Sequence, residues 1–420
     1  MYKQSKKKYT MILIYRCLGI LLIPLILINV LIRIKKGKEN KFRYRERFGK
    51  IITKRPNKKL IWIHAASIGE FKSADLIINS LYKKYTILIT TTTLTAANFA
   101  KEYYGNKIIH QFAPLDIDIW VKRFLNYWKP NLIIWIESDL WPITLTQIKN
   151  MKIKSLLINV RMSPKSYKRW KNIKFFYKQI TSCFDEITAQ SEKDKTRISK
   201  ITKRNIKFIG NLKLYYDKKF NKNYSQKKNY HTLMFASTHK EEELKLILLI
   251  QKLVKKHNLK IIIAPRHIER SKKILLMLNK GGKIASLENN KMRGENNVLI
   301  VNSFGNLSKY FIKSDIVFLG GSLAYKGGHN PIEPSRYNCA IMTGPYTYNW
   351  QNIYEKMSSH NACIKINNIE DLENKINFLI NDKKLLKKMI INSKKYSQKK
   401  FFDSKKLFQL INAKICEFKC

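Results

Sequence analysis

Two glutamates lie directly after short apolar segments, where a strand would pass into a helix. Glu70 ends the segment HAASIGE, in which Gly69 permits a tight turn and Ser67 leaves room for a ligand. A carboxylate at such a turn can act as the general base that removes a proton from a hydroxyl group. The same position also suits a glutamate that only stabilises a helix start, where the positive helix end would lower the pKa of the carboxyl group. A catalytic Glu70 therefore requires surroundings that raise this pKa again.

The second glutamate, Glu137, opens the segment ESDLWP after another apolar run. Pro142 at the end of this segment fits the first turn of a helix. A buried acid beside a tryptophan is usually paired with a cation, and Arg161 and Lys213 are the candidate partners. The sequence leaves two roles open for Glu137, an ion pair of this kind or direct contact with a substrate.

The second half of the chain carries residue types that bind phosphate. An arginine after a strand can hold a phosphate with two hydrogen bonds, and hydroxyl or amide groups after a neighbouring strand can face the same anion. The candidates are Ser237 and Thr238 after one apolar segment, and Pro265, Arg266 and His267 after the next.

The strongest local signal is the glycine-rich segment GGSLAYKGGHNPIEP at residues 320–334. Backbone amides of such a loop can approach an anion closely. Asn330 is predicted to cap a helix that begins at Pro331, whose N-terminus favours an anion, and Glu333 can accept hydrogen bonds from a ribose. An ordinary glycine-rich turn without a ligand is the alternative. The predicted binding residues here are Gly320, Gly321, Ser322, Gly328, Asn330 and Glu333.

Familiar nucleotide-binding and metal-binding patterns are absent from the sequence. It contains neither a G-x-x-x-x-G-K-[ST] phosphate loop nor a G-x-G-x-x-G dinucleotide loop. No Asp-x-Asp pair of the kind that holds a metal on a sugar nucleotide occurs among the predicted nucleotide-binding residues, and His329 has no second His or Cys at ligand spacing. We therefore predict chemistry without a metal or cofactor, and we expect His329 to stabilise its loop.

The elements that position these residues follow a regular alternation. From about Lys59 onward, short β-branched segments alternate with amphipathic segments, which is typical of parallel α/β domains. Ligands of open α/β sheets bind beyond the carboxyl ends of the strands, so we expect the candidate residues there. The predicted strands are residues 60–64, 86–90, 108–112, 132–136, 156–159, 187–189, 206–209, 232–236, 259–264, 298–301, 316–320, 340–343 and 363–366.

The predicted domain organisation has two similar halves. Residues 218–230 are rich in Lys and Asn without an apolar period, which indicates a linker. The complete division is a membrane anchor with basic flanks at 1–36, an N-terminal Rossmann-like domain at 37–217, the linker at 218–230, a C-terminal Rossmann-like domain at 231–400 and a terminal helix at 401–420.

Length and charge restrict the class of protein. A chain of 420 residues suits two domains of moderate size. Its 82 Lys and Arg against 29 Asp and Glu give a net charge of +53, which favours anionic partners such as nucleic acid, acidic lipid or a phosphorylated substrate. An AT-rich genome, which favours Lys, Asn and Ile codons, is the alternative source of this charge. The six cysteines form no C-x-x-C pair, as expected in a reducing compartment.

The N-terminal segment is apolar from Tyr9 to Ile32 apart from Arg16 and Asn29. It is long enough to span a bilayer, which takes about 20 residues, and a proline is tolerated inside a membrane helix. The basic run that follows outweighs the lysines before it, so the large remainder of the chain is predicted to be cytoplasmic. The same run favours an anionic membrane surface. A monotopic, partly inserted helix stays open because of Arg16.

Taken together, these motifs resemble the 3-deoxy-D-manno-octulosonic acid (Kdo) transferases of lipopolysaccharide synthesis. The resemblance extends from the apolar N-terminal segment to about Ile353. The segments that carry it are Arg47-Phe-Gly49, Ala65 to Glu70, Thr90 to Thr95, Pro114-Leu-Asp116, Glu137 to Pro142, Asn159-Val-Arg161 with Ser166, Ala189 to Glu192, Gly210 to Lys213, Ala236 to His239, Pro265-Arg-His267 with Arg270, and Gly320 to Pro334.

The resemblance implies a GT-B fold, in which an acceptor-binding and a nucleotide-sugar-binding Rossmann-like domain face a cleft. It implies transfer of Kdo from CMP-Kdo to the lipid A precursor (lipid IVA), with inversion and without a metal. Glu70 matches the family's catalytic base and Glu137 a second essential acid. Arg266, Asn330 and Glu333 match its CMP-contacting residues, with Lys213 as a further site residue. The implied location is the cytoplasmic face of the bacterial inner membrane, with no specific nucleic acid as partner.

The sequence departs from the family pattern at a few positions. Asp139 replaces an expected Glu, Ile143 replaces an expected Asn, and Asn302 and Asn306 replace acids near the predicted nucleotide loop. The last pair puts the reaction rate in doubt more than the reaction itself. Two other functions stay open: a GT-B transferase with another nucleotide sugar and acceptor, and a non-enzymatic basic protein that binds membranes or nucleic acid.

Overall fold

The computed structural model describes residues 2–137, 139–215, 231–288, 297–303, 307–399 and 401–417, with side chains from residue 11 onward. The chain divides into two compact units. Unit 1 comprises Met1–Tyr215 and Phe401–Cys420, and unit 2 comprises Tyr216–Lys400. The predicted linker at 218–230 lies outside the described residues, as do Ser138 and Asn306.

Unit 1 contains a parallel sheet of seven strands. The strands are β1 (Leu60–His64), β2 (Thr86–Thr91), β3 (Ile109–Phe112), β4 (Leu132–Ile136), β5 (Lys154–Val160), β6 (Glu186–Ala189) and β7 (Lys207–Phe208). They are arranged in the order β3-β2-β1-β4-β5-β6-β7. The helices are α1 (Tyr2–Leu21), α2 (Ile23–Lys35), α3 (Ile68–Leu81), α4 (Leu94–Tyr104), α5 (Asp118–Trp128), α6 (Pro142–Asn150), α7 (Pro164–Asn172), α8 (Lys174–Thr181) and α9 (Glu192–Thr202).

Unit 2 repeats this plan with a second parallel sheet of seven strands. The strands are β8 (His231–Thr238), β9 (Leu259–Pro265), β10 (Ala285–Leu287), β11 (Val298–Ile300), β12 (Ile316–Leu319), β13 (Ala340–Thr343) and β14 (Ile364–Lys365), in the order β10-β11-β9-β8-β12-β13-β14. The helices are α10 (Lys240–Lys256), α11 (Ser271–Leu278), α12 (Ser308–Phe311), α13 (Ile332–Ser335), α14 (Gln351–Ser359), α15 (Ile369–Asn381) and α16 (Lys383–Ser397).

The strands have the composition that a sheet covered on both faces requires. All residues of β1 and β4 are buried, and apart from His64 at the end of β1 these strands are apolar rather than alternating. One face of the first sheet packs Trp62 and Trp135 against Phe124, and the other packs Ile63 against Phe71. The predicted strands are all present. The short strand β10 was missed because its three residues, Ala-Ser-Leu, include no β-branched or aromatic side chain.

The C-terminal helix α17 (Ser404–Cys416) belongs to unit 1 rather than to the unit that precedes it in sequence. Its residues Leu407 and Ile411 are fully buried in the same core cluster as Phe71. The chain returns through an antiparallel bridge between Gly210 and Phe402. The predicted terminal helix is therefore an integral part of the first core.

The apolar N-terminal segment forms two helices instead of the continuous helix expected from the sequence. Pro24 lies in the first turn of α2, where it lacks an amide hydrogen and its ring would clash with a preceding carbonyl of a longer helix. No single described helix has the length and apolar composition of a membrane span. The pair Met11–Leu21 and Ile23–Lys35 meets these criteria only jointly, with a bend of 59° between its halves.

Part of α1 is attached to unit 1. Ile12 is buried in the core cluster that contains Trp62, and Arg16 forms an ion pair of 3.2 Å with Asp118 at the start of α5. Many other apolar side chains of the two helices are exposed, among them Leu25 at 62% and Leu31 at 56%.

We predict that Gly210→Ala destabilises unit 1 by about 3 kcal/mol. Gly210 has a φ of +92°, and a Cβ atom there would lie 2.1 Å from the Phe401 carbonyl oxygen. Gly37→Ala is the matched control, because Gly37 has a φ of +64° and nothing within 4 Å of an added Cβ. The control should lose only about 1 kcal/mol, from backbone strain alone. Chemical unfolding measures both changes, and equal losses would contradict the close packing at Gly210.

Candidate active site

The candidate residues of unit 1 lie where the order of the strands reverses. The strands run outward in one direction from β1 and in the other from β4, so β1 and β4 flank the switch point. Crossover connections leave such a point in opposite directions and open a crevice at the carboxyl ends of the strands. β1 and β4 pair in parallel, with His64 opposite Trp135. Glu70 and Glu137, which follow these two strands, are therefore brought to one edge of the sheet.

Glu70 stabilises the start of α3, and its carboxyl group also has a raised pKa. Its Oε2 accepts hydrogen bonds from the amides of Ala66, at 2.6 Å, and Ser67, at 3.4 Å, while the Ser67 hydroxyl accepts from the Glu70 amide. This reciprocal arrangement is a capping box. Burial, together with the charge of Glu137, nevertheless raises the pKa of Glu70 to about 7. The compensating surroundings that a catalytic Glu70 requires are thus present.

Glu137 forms the ion pair that was one of its two predicted roles. Its Oε1 lies 2.6 Å from Nζ of Lys213. The backbone of Glu137 has a φ of +66°, an uncommon conformation for a residue other than glycine. Lys213 is the partner found, and Arg161 lies on the surface after β5. The charge of Glu137 also acts on Glu70, because it helps to raise the pKa of that residue.

Asn159 holds Lys213 in place through the backbone. Asn159 lies at a register irregularity of β5 and has a φ of +64°. Its Oδ1 accepts a hydrogen bond of 2.9 Å from the amide of Leu212, the residue before Lys213. A polar side chain inside a strand thus connects β5 to the turn that carries the cation.

Buried aromatic rings pack against the segment that follows β4. His64 is fully buried, with its ring 4.0 Å from Trp135 and 5.1 Å from Trp141 between centroids. Its Nδ1 lies 2.9 Å from the Thr90 hydroxyl, and burial lowers the pKa of His64 to about 3, so the ring is neutral. Trp135 donates a hydrogen bond of 2.7 Å to the carbonyl oxygen of Asp139. These contacts restrain the loop between Glu137 and Pro142.

The candidate residues of unit 2 lie at the equivalent switch point, between β8 and β12. Ser237 lies at a register irregularity near the end of β8 and has a φ of +59°. Backbone strain of this kind and strand bulges are both enriched at functional sites. Arg266 and His267 follow the neighbouring strand β9 and are exposed, and the Arg266 amide donates a hydrogen bond of 2.9 Å to the Thr238 carbonyl.

The glycine-rich loop is built differently from the anion cradle predicted from its sequence. The amide of Gly320 donates to the carbonyl of Ala236 at 2.8 Å, and the amide of Gly328 donates to that of Gly321 at 3.0 Å. The amide of Gly321 donates to the Glu242 carboxylate at 2.5 Å. These amides are therefore already bonded within the protein, because the loop closes on itself and on α10.

Several further predicted binding residues are buried by the same packing. Ser322 is fully buried, with its hydroxyl bonded to the Leu319 carbonyl and to the Gly344 amide. Thr238 is 1% exposed, and Pro265 is buried at the end of β9. Among the predicted binding residues of unit 2, those that are at least partly exposed can contact a ligand. They are Ser237, Arg266, His267, Asn330 and Glu333.

The predicted helix after the loop is shorter and begins one residue later. Asn330 does accept a hydrogen bond of 3.0 Å, from the amide of Ile332, but Pro331 is the cap and α13 has only four residues. A single turn has little dipole, so the expected anion site at this helix end is not supported. Glu333 is exposed in that turn.

Two imidazole rings join the loop to the end of β8. The Nε2 atoms of His239 and His329 lie 3.1 Å apart, with the rings stacked. Burial lowers the pKa of His329 to about 4 and also lowers the pKa of His239, so both rings are neutral near pH 7 and one can donate to the other. His329 thus stabilises its loop, as predicted. Among the residues that the structure describes, no three His, Cys, Asp or Glu side chains are grouped to hold a metal ion.

Sequence reasoning did not select His64, Asn159 and Glu242 as site residues. The first two carry a usable signal, because each is a polar residue that directly follows a run of apolar residues in its strand. Glu242 carries little, since it is one of three consecutive glutamates in a helix start, where acids are common.

Comparison with known proteins identifies relatives over nearly the whole chain. A family model described as 3-deoxy-D-manno-octulosonic-acid transferase (kdotransferase) matches residues 42–216. The 3-deoxy-D-manno-octulosonic acid transferase of Rickettsia bellii is 34% identical over 392 residues, which cover 90% of this chain and 93% of that protein.

Solved structures agree on the architecture. A glycosyltransferase from Rickettsia africae has 16% sequence identity and a TM-score of 0.56, covering 86% of this chain and 98% of its own. A UDP-GlcNAc 2-epimerase from Neisseria meningitidis has 12% identity and a TM-score of 0.56, covering 86% of this chain and 100% of its own. At such identities the likeness concerns the fold alone, and it confirms the predicted α/β architecture of GT-B type.

We predict that Glu70→Gln makes unit 1 more stable at pH 8 than the native protein. A glutamate whose pKa is about 7 in the folded protein and 4.5 otherwise destabilises the fold when ionised. This penalty is complete above pH 7, decreases as the pH falls and vanishes below pH 4.5. The gain in thermal midpoint should therefore be present at pH 8 and small at pH 5. Glu102→Gln, at an exposed site on α4, is the control. An equal gain there would contradict the raised pKa of Glu70.

Proposed function

Since the chain belongs to the Kdo transferase family and is a glycosyltransferase, we propose that it moves Kdo from CMP-Kdo onto the lipid A precursor lipid IVA, inverting the anomeric configuration. The observation that carries this proposal is the carboxylate of Glu70 at the switch point of the first sheet, with a pKa of about 7. A general base is most effective when its pKa lies near the working pH. Membership of the family supports the proposed substrates, and the position of Glu70 supports its role as the base.

The proposed reaction needs one proton transfer on the acceptor side. Glu70 removes the proton from an acceptor hydroxyl, whose oxygen forms a bond to the anomeric carbon of Kdo. The bond from that carbon to the phosphate oxygen breaks, and CMP leaves with the bonding electrons. The capping amides of Ala66 and Ser67 hold Oε2 of Glu70, which fixes the carboxylate in the orientation required for this transfer.

Glu137 and Lys213 are proposed to adjust the base. The negative charge of Glu137 is the second cause, after burial, of the raised pKa of Glu70. The ion pair with Lys213 compensates the charge of Glu137. Glu137 thus acts on the reaction through the electrostatics of Glu70.

The donor is proposed to bind through exposed groups of unit 2. Arg266 can hold the single phosphate of CMP with two hydrogen bonds, with Ser237 at the end of the neighbouring strand. Glu333 can accept hydrogen bonds from the ribose, and Asn330 precedes it in the same segment. A monophosphate leaving group carries less charge than a diphosphate, so we propose that the reaction requires neither metal nor cofactor.

The enzyme is proposed to act at the cytoplasmic face of the bacterial inner membrane. The exposed apolar side chains of α1 and α2 and the basic residues that follow them support contact with an anionic bilayer. The burial of Ile12 against unit 1 and the bend at Leu22 favour a helix pair that lies in the surface over one that spans it. Such a placement brings a membrane-bound acceptor to the first sheet.

The function is tested by transfer from CMP-Kdo, generated in situ, to lipid IVA by the purified full-length chain in detergent with EDTA. A product heavier by one or more Kdo units is the expected result, and omission of EDTA should not increase it. Excess CMP should inhibit and excess UDP should not. No product from protein that binds CMP would exclude this acceptor, and no binding of CMP would exclude this donor.

Two variants separate the proposed roles of the units. Glu70→Gln should lower transfer on the order of a thousandfold while CMP affinity is unchanged, because only the base is lost. Arg266→Ala should weaken CMP binding about tenfold or more. Calorimetric titration with CMP and the transfer assay measure both. Substantial turnover by Glu70→Gln would remove Glu70 from the role of base.

Membrane contact is tested by flotation with vesicles of anionic phospholipid in about 1 M NaCl, which screens the charge of the chain. The native protein should stay bound, because its exposed apolar side chains enter the bilayer. Leu25→Glu combined with Leu31→Glu should release it. Leu248→Glu, at an equally exposed leucine of α10, is the control and should stay bound. Release of the native protein by salt would show attraction by charge alone.

A further inference from the structure

Glu242 is a buried carboxylate that joins two separate segments of unit 2. It lies in the first turn of α10, directly after β8, and is 2% exposed. Its Oε1 accepts hydrogen bonds from the amide of His239 at 3.0 Å and from that of Gly321 at 2.5 Å. Its Oε2 accepts one of 3.3 Å from the amide of Leu323.

The amide of Ala324 also donates to this carboxylate. A charge removed from water is tolerated only when hydrogen bonds replace its hydration. Four backbone donors satisfy Glu242, and three of them come from the glycine-rich loop. The first turn of the loop is therefore held by the Glu242 carboxylate and not by a bound anion.

Two glycines make this contact possible. A Cβ atom at Gly320 would lie 2.6 Å from Oε1 of Glu242 and 2.7 Å from the Ser237 carbonyl oxygen. At Gly321, where φ is +64°, a Cβ atom would lie 3.0 Å from the His239 ring. The glycines thus allow the loop to approach the carboxylate and the end of β8, which explains their presence better than an open anion cradle does.

The Glu242 carboxylate also fixes the end of β8 and the turn that follows it. Through the His239 amide it holds the turn that follows the end of β8, where Ser237 lies. The His239 ring in turn contacts His329 at 3.1 Å, next to Asn330. Glu242 thus accepts hydrogen bonds from both the turn and the loop. The exposed residues of these two segments are the ones proposed to bind the donor substrate.

We propose that Glu242 is a positioning residue of the donor site, which holds the β8–α10 turn and the glycine-rich loop in the arrangement that accepts the nucleotide. This inference rests on the proposed function, because it takes the nucleotide to be CMP. Glu242 does not touch the ligand. It occupies the loop amides, so the loop is arranged before the ligand arrives and binding need not order it.

Glu242→Gln is the informative variant. Glutamine has nearly the same shape, but it offers one acceptor oxygen in place of two, and its NH₂ group would face the Leu323 and Ala324 amides, which are also donors. The loop should lose its attachment at Leu323. CMP affinity should then fall about tenfold, with transfer at saturating donor reduced far less.

Glu243→Gln is the matched control. Glu243 is the next residue of the same helix, is 3% exposed and is paired with Arg270 at 2.5 Å, without a hydrogen bond to the glycine-rich loop in the described structure. Both variants replace a buried carboxylate together with its hydrogen bonds or ion pair, so thermal stability alone does not distinguish them. Only the Glu242 variant should show faster hydrogen exchange at the amides of residues 320–324.

The experiment combines calorimetric titration with CMP and hydrogen exchange on the full-length native protein and both variants. Weaker CMP binding together with faster loop exchange in Glu242→Gln alone is the expected result. Native affinity in Glu242→Gln, or an equal loss in Glu243→Gln, would overturn the positioning role while leaving the proposed function intact. A native protein that does not bind CMP would overturn the proposed donor and this inference together.

Discussion

The first strand of each parallel sheet passes directly into a helix whose free amide groups need acceptors, and this requirement governs both halves of the protein. In each unit a glutamate in the first turn of that helix supplies the acceptor, Glu70 in α3 and Glu242 in α10. Both lie at the switch point of their sheet, where crossover connections diverge. The same local solution therefore places one carboxylate at the carboxyl edge of each sheet.

The two carboxylates differ in what else they contact, and this difference separates their roles. Glu70 accepts from amides of its own turn, while burial and the charge of Glu137 raise its pKa to about 7. Glu242 accepts from a second segment of chain as well, so its hydrogen-bonding capacity is used by the glycine-rich loop. Burial raises the pKa of both carboxyl groups, so the roles are separated by their contacts: the bonds to a second segment suit Glu242 to holding backbone in place, whereas Glu70 is left available for proton transfer.

Backbone strain accompanies this arrangement at the carboxyl edges of both sheets. Glu137, Asn159 and Ser237 all have positive φ angles, and two of them lie at register irregularities. Such conformations cost free energy and persist where the surrounding packing enforces them. Here the buried Trp135 and His64 on one side, and the close approach of Gly320 on the other, provide that packing. Packing inside each unit thus maintains the strained backbone conformations at the carboxyl edge of its sheet.

Much about this protein follows from its sequence, because strands covered on both faces must be apolar throughout and the residues after them must lie at one edge. The two α/β series, nearly all strands, and the positions of Glu70, Glu137 and Arg266 were predictable in this way. The tertiary structure alone decided the bend at Leu22, the return of α17 to the first core, the pairing of Glu137 with Lys213 and the pKa of Glu70. It also decided that amides of the glycine-rich loop bond within the protein, three of them to Glu242, instead of facing an anion. These features depend on groups far apart in the chain, and burial and hydrogen-bond partners are set only when those groups meet.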